Sequence, residues 1–476
     1  MCLTRLPLRG DDSLGDSFHH AANPGRAFVN PRLLLLAIVP LGIAFALLRE
    51  PDSSVADAGP TKVSRTPQFL GAGSCSASAC HNANFAKGHT GSEYTLWITR
   101  DPHAKAYETL FGERSLLMQK NLRSPMSAHE DPRCLKCHVA PDYDVKQAPP
   151  VAPYFKTDGV SCESCHGPAK NWAAFHHLAS WQLKTPAQKK SLGMKDTQSL
   201  AGRAQVCVTC HVGAPGMEVD HDLIAAGHPR LHFEFAAFHD AMPRHWPDFK
   251  DRDATKSARG RPDFEARAWL VGQLVTAHAA LELLADRAAE KPWPEFAEYD
   301  CAACHHDLQS PSARQKSGYG KRKPGVLPWG HYLALSPLAI ETLAGEDAQA
   351  LRDQLRAVQK IMDAGNPRRD GVADAARRAT VISRTVLRDL DQRLPHSLSL
   401  QARLQTFVEA RGADLAPTAD WLTQVQLSHA ALRKAARDLR SPGPAELPKA
   451  IREGLPLHFD PQAIKQRLLS NSKKGS

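Results

Sequence analysis

The sequence contains no nucleic-acid-binding motif and no aromatic stacking pattern, although its formal net charge of +10 is of the sign that nucleic acids and anionic membranes attract. Nucleic acid is therefore not the expected partner, and the basic excess needs another explanation. None of the seven methionines sits in a distinctive setting. No cysteine follows Cys304, and Cys2 alone among eleven stands outside a close pair. At 476 residues and 42% hydrophobic content, the chain is long enough for two or three folded domains.

What is present is a repeated chemical unit. The other ten cysteines form five pairs, each followed at once by a histidine: Cys75 and Cys80 with His81, Cys134 and Cys137 with His138, Cys162 and Cys165 with His166, Cys207 and Cys210 with His211, Cys301 and Cys304 with His305. Four are C-x-x-C-H, the spacing of c-type haem attachment, in which two thiols form thioethers to the porphyrin edge and the adjacent imidazole binds the iron. The first has the wider C-x4-C-H spacing, which resembles a variant among small tetrahaem cytochromes of the c3 type. Zinc ribbons also use paired cysteines, but tetrahedral zinc gives no reason for a histidine after every pair. Disulfides fit less well, because cysteines this close make strained bridges and disulfide scaffolds are usually short.

Five covalent c-type haems are thus the expected cofactors. Spread over Cys75 to His305 they leave roughly 46 residues per haem, too few to build an interior without the porphyrin faces. Each haem also brings a pair of propionates, which together roughly cancel the excess of Lys and Arg.

Leu33 to Leu48 is a run of sixteen uncharged residues preceded by Arg5, Arg9, Arg26 and Arg32. A spanning helix takes about twenty residues, so the run reads as an export signal or a short anchor, with a buried core helix as the alternative. The nearest A-x-A pattern, Ala56-Asp57-Ala58, lies beyond the usual cleavage distance. An uncleaved anchor with a periplasmic or otherwise extracytoplasmic haem region is expected, leaving Cys2 as a free thiol in the reducing cytoplasm.

The expected fold class is mainly α with extensive irregular loops, a multihaem region packed around its haems and followed by a small helical bundle. The expected divisions are a cytoplasmic tail at 1–32, a signal anchor at 33–50, a flexible linker at 51–70, the pentahaem region at 71–309, a linker at 310–328 and a helical region at 329–476. One long helix is expected over about 264–289, and amphipathic stretches at 350–364 and 422–439, with breaks at Asn366-Pro367 and Leu394-Pro395. Nothing selects among capping, docking and oligomerisation for this last region, so the oligomeric state stays open.

Each iron needs a second axial ligand if it is to be six-coordinate, and the non-motif histidines outnumber the five required. Leu96-Trp97, His103-Ala-Lys-Ala106, Leu110, the Cys134 motif ending in Val139, and Gly159-Val-Ser-Cys162-Glu-Ser-Cys-His-Gly-Pro168 together resemble the cytochrome c-554 family over about 71–215. That family comprises tetrahaem electron carriers linked to hydroxylamine oxidation. The resemblance implies that His103 is the distal ligand to the haem of His166 and His176 that of His81. It also implies an open distal face at the haem of His138. His129, nine residues upstream of His138, could close that face, since such a stretch of chain spans about 30 Å when extended. The chain departs from the family in its wide first motif, its fifth motif and its C-terminal extension.

For the haem of His211 the preferred distal ligand is His228, held extended by Pro229, with His221 and His232 as alternatives. For the haem of His305 the candidates are His278 and His129. His306 points about 100° away from its neighbour on a helix and is expected to bond a propionate. The whole reads as a membrane-tethered pentahaem cytochrome passing electrons between redox partner proteins. Two other readings remain: an oxidoreductase with one open haem acting on nitrite or hydroxylamine, and a haem-based nitric oxide sensor.

Overall fold

The computed structural model describes residues 68–83, 91–139, 156–246, 264–312, 326–388, 390, 394 and 419–436. The expected anchor at 33–48, Cys2, His89 and most of both expected linkers lie outside these residues. The described chain is helical, without a β-strand and with only two isolated bridges, Ala214 to Met217 and Tyr299 to Trp329.

The helices that matter here are α1 (Glu93–Arg100), α2 (Glu113–Asn121), α3 (Pro132–His138), α4 (Cys162–His166), α5 (Leu200–His211), α6 (His221–Ala226), α7 (Phe235–Ala241), α8 (Phe264–Glu290), α9 (Ser336–Glu341), α10 (Glu346–Met362), α11 (Arg369–Leu387) and α12 (Ala419–Ala436). Up to α7 none exceeds twelve residues, whereas α8, α10, α11 and α12 each run to seventeen or more. Helix α8 is the spine. Its apolar residues, from Ala266 and Trp269 to Leu284 and Ala288, face neighbours on all sides. It is long and apolar enough to cross a membrane, but 89% of its most apolar window is buried inside the protein, so it is a core helix.

Helix α10 buries Ala348, Leu351, Leu355, Val358 and Met362, one face at the helical period. Helix α11 packs on both α8 and α10 and buries small side chains, Ala373, Ala375, Ala376 and Ala379, which allow close approach. One continuous core runs from Leu200 on α5, through α8, to Leu432 on α12. The C-terminal helices therefore share their interior with the fourth attachment motif.

The first three motifs have no such core. Their apolar residues fall into three small clusters: Leu110 with Ala128, Leu135 and Val139; Ala72 with Trp97 and Ala104; Ala169 with Trp172 and Trp181. Clusters of that size cannot offset the chain entropy of about 1–2 kcal/mol per ordered residue, so this part needs further apolar surface to fold around.

One backbone position shows how tightly the third motif is set. Gly167 follows His166 at φ +86, and a Cβ there would run into the Gly193 carbonyl oxygen. Gly167→Ala is expected to cost at least about 1–3 kcal/mol from backbone strain alone. Denaturant unfolding of the haem-loaded protein checks this, and an unchanged midpoint contradicts it.

Candidate haem-attachment sites

Three of the five motif histidines, His81, His138 and His166, are oriented by bonds at Nδ1. His81 Nδ1 lies 3.0 Å from Glu93 Oε2 on α1, and His138 Nδ1 lies 2.7 Å from the Ala106 carbonyl. His166 Nδ1 lies 3.3 Å from Thr197 Oγ1. Several non-motif histidines are held likewise: His103 by Asp101 at 2.9 Å, His176 by the Ala173 carbonyl at 2.7 Å, His228 by the Pro229 carbonyl at 2.8 Å and His245 by the Pro243 carbonyl at 3.3 Å. Carboxylate and carbonyl oxygens only accept, so Nδ1 carries the proton and Nε2 presents its lone pair. This is the tautomer a metal ligand needs.

The rings then pair across space. The centroids of His81 and His176 are 6.0 Å apart with planes at 14°, those of His103 and His211 6.1 Å at 81°, those of His166 and His245 6.5 Å at 73°, and those of His221 and His305 6.4 Å at 26°. Two imidazoles bound to one metal from opposite sides, with bonds near 2.0–2.1 Å, have centroids roughly 6–6.5 Å apart. Each pair joins one motif histidine to one histidine from elsewhere in the chain.

At four of the histidines burial favours the neutral ring that ligation requires. It pulls His166 down to about 4 and His211 to about 3, and it lowers His138 and His245. His81 shifts the other way, its pKa raised by the bond to Glu93. The Cys165 and Cys207 thiols are pushed up to about 11 and about 12 as burial disfavours thiolate. Thiols of different motifs also meet. The free thiols of Cys75 and Cys162 interact by hydrogen bonding, as do those of Cys137 and Cys210, which lowers the Cys75 and Cys137 pKa values.

A cavity of about 600 Å³ opens between the second and fourth motifs, walled by both of their cysteine pairs, His138, His211, His103 and His228, with Leu110, Met118, Leu223 and Phe238 as apolar surface. Paired thiols, an imidazole lone pair and an apolar wall in one space fit haem.

The residues beside the motifs have defined work. Glu163, inside the Cys162 motif, is buried and accepts from Leu70 and Gly71 N–H at 3.0 and 2.7 Å and from Ala169 N–H at 2.7 Å. Burial pushes its carboxyl up, and the three N–H groups pull it back. It anchors the chain entering the first motif to the third. Asp131 caps α3 and pairs with Arg133 at 2.6 Å, while Glu130 accepts from Ser127 at 2.5 Å, so both have structural partners beside His138.

Several sequence-based ligand expectations differ from this arrangement. His103 faces His211, not His166, because Gly159 and Val160 hold its backbone, with Val160 N–H on the His103 carbonyl, and Asp101 fixes its ring. The ring that faces His166 is that of His245, at 6.5 Å. His221, an alternative for the fourth motif, meets His305 of the fifth. His228 shares the cavity with His138 and interacts electrostatically with it. His129 stacks on Phe111 at 4.4 Å, with Nε2 3.4 Å from Ser127 Oγ, and is not among the walls of that cavity. His278 sits between α8 and α11 with Nδ1 2.7 Å from Ser383 Oγ and Nε2 3.4 Å from Glu282, which occupies both nitrogens. His306 turns Nδ1 to the Asp307 carbonyl. His176 lies beside His81, its ring stacked at 6.0 Å. His245 has no local sequence signal, since its role depends on the turn after α7 bringing it to a motif far upstream.

Residues 75–167, spanning the first three motifs, match the family described as Cytochrome c554 and c-prime. No curated protein and no solved structure matches the chain. Over these residues the chain is similar to that family, and the match supports a c-type cytochrome with covalently bound haem.

Proposed function

We propose that the protein is an extracytoplasmic pentahaem cytochrome that carries electrons between redox partner proteins, tethered to the membrane through residues 33–48. The four imidazole pairs at 6.0–6.5 Å carry this reading. Haem iron supplies a one-electron ferric/ferrous couple, and two strong nitrogen donors keep its coordination unchanged between the two states. The five Cys-Cys-His groups support five haems, and the fourth and fifth of these groups lie beyond the matched residues. Because c-type haem is attached outside the cytoplasm, the apolar run at 33–48 is read as the route out.

The order of sites follows from contacts among the motifs. The Cys75 and Cys162 thiols join the first to the third, and the Cys137 and Cys210 thiols join the second to the fourth. Asp101 joins the third to the fourth, bonding His103 of one pair while attracted electrostatically to His245 of the other. His138, with His228 as its proposed partner, is the site outside the four close ring pairs. An oxidoreductase acting on nitrite or hydroxylamine would use that face.

Ring angles make this testable. Near-parallel imidazoles split the iron dxz and dyz orbitals, whereas near-perpendicular ones leave them almost degenerate. Electron paramagnetic resonance of the oxidised protein is expected to show two rhombic low-spin signals, from the pairs at 14° and 26°, and two strongly anisotropic ones, from the pairs at 73° and 81°. Carbon monoxide should bind the reduced protein at no more than one iron. Two or more binding sites contradict the carrier reading.

A further inference from the structure

The fifth motif has no thiol contact with another motif among the described residues, so its place in the order has to come from the chain around it. One short segment separates it from the second. Helix α6 carries His221, which faces His305, while Val219 and Leu223 on either side of it wall the cavity of His138. From the second-motif side this segment is held by Lys136 Nζ on the Gly216 carbonyl and by Asn121 Nδ2 on the Ala226 carbonyl at 2.9 Å. From the fifth-motif side Glu295 accepts from His221 N–H at 2.9 Å. Arg230 makes the second bridge. It walls the same cavity, donates from Nη1 to Cys301 Sγ at 3.5 Å, and is fixed by Asp420 of α12 at 3.2 Å.

Resting on the pentahaem reading above, we infer that the fifth site adjoins the second. The order is then first, third, fourth, second, fifth, with the motifs of His81 and His305 at the two ends where electrons enter and leave. Exposure agrees with this order. Of the ten motif cysteines only Cys80 and Cys304 are exposed, and they belong to the two proposed ends. His305 is exposed as well, while His138, His166 and His211 of the interior sites are half-buried.

The test uses the full-length haem-loaded protein. His221→Met replaces one donor with methionine, which raises the potential of that site so that it can be reduced first to the diamagnetic low-spin state. Paramagnetic resonance of the partly reduced protein then reports which remaining signal loses a magnetic neighbour. The expected change is in the His138 signal, the one outside the two rhombic and two strongly anisotropic sets, with the His81 signal unaltered. A change confined to either strongly anisotropic signal, or to the His81 signal, overturns the order. Should His221→Met fold poorly, Cys301→Ala with Cys304→Ala removes the fifth haem and is read in the same way. The intact mass of the unaltered protein separates the two failures: fewer than five haems overturns the pentahaem reading, whereas five haems with the wrong neighbour overturns the order alone.

Discussion

His245→Ala is expected to convert the haem of His166 from low-spin to high-spin, and His103→Ala to do the same at the haem of His211. In each variant one of the two strongly anisotropic resonance signals should disappear and a high-spin signal replace it, with the rhombic signals unchanged. The physical basis is the pairing of rings, 6.5 Å for His166 with His245 and 6.1 Å for His211 with His103. Removing one donor leaves a single axial nitrogen, and the weaker ligand field no longer pairs the iron electrons. Family resemblance suggests a different outcome, His103→Ala acting at the haem of His166. A double variant distinguishes them. His103→Ala with His245→Ala should lose two signals, whereas under the resemblance it would lose only one.

The second large effect concerns folding. Protein produced without haem attachment should lose the structure of residues 68–199, where the apolar clusters are small, and keep the packing of α8, α10 and α11, whose core is made of side chains alone. Limited proteolysis of haem-free material is expected to cleave rapidly between the first and third motifs and to leave a resistant fragment containing 264–388. Uniform resistance along the chain would contradict the idea that the haems form the interior of the first part. Uniform sensitivity would mean that the shared core also depends on them, through α5 and its Cys207 and Cys210.

The elements that were legible in the sequence are those with a local cause. The helix expected over 264–289 is α8, Phe264–Glu290, and the stretch at 350–364 falls within or just beyond α10, because apolar periodicity marks a buried face directly. The break at Asn366-Pro367 lies in the turn between α10 and α11. The attachment motifs were equally legible, as two thiols and an imidazole at fixed spacing need no tertiary information. Ligand pairing was not. Facing histidines such as His103 and His211 are brought together by Gly159, Val160 and Asp101, and no spacing rule connects them. His278 was a reasonable candidate by position on a helix, but its surroundings are Ser383 and Glu282, a contact made only once α11 packs on α8. The same packing hides in the sequence that α12 reaches back to Arg230 and walls the haem cavity with Thr423 and Leu427, so the C-terminal helices contribute to the sites they follow.

The most direct measurement is the intact mass of the mature protein under denaturing conditions, which strip every non-covalent group and leave thioether-bound porphyrin in place. The expected mass is that of the polypeptide plus five haems, one for each Cys-Cys-His group. A polypeptide without porphyrin, or one carrying fewer than five haems, would contradict it.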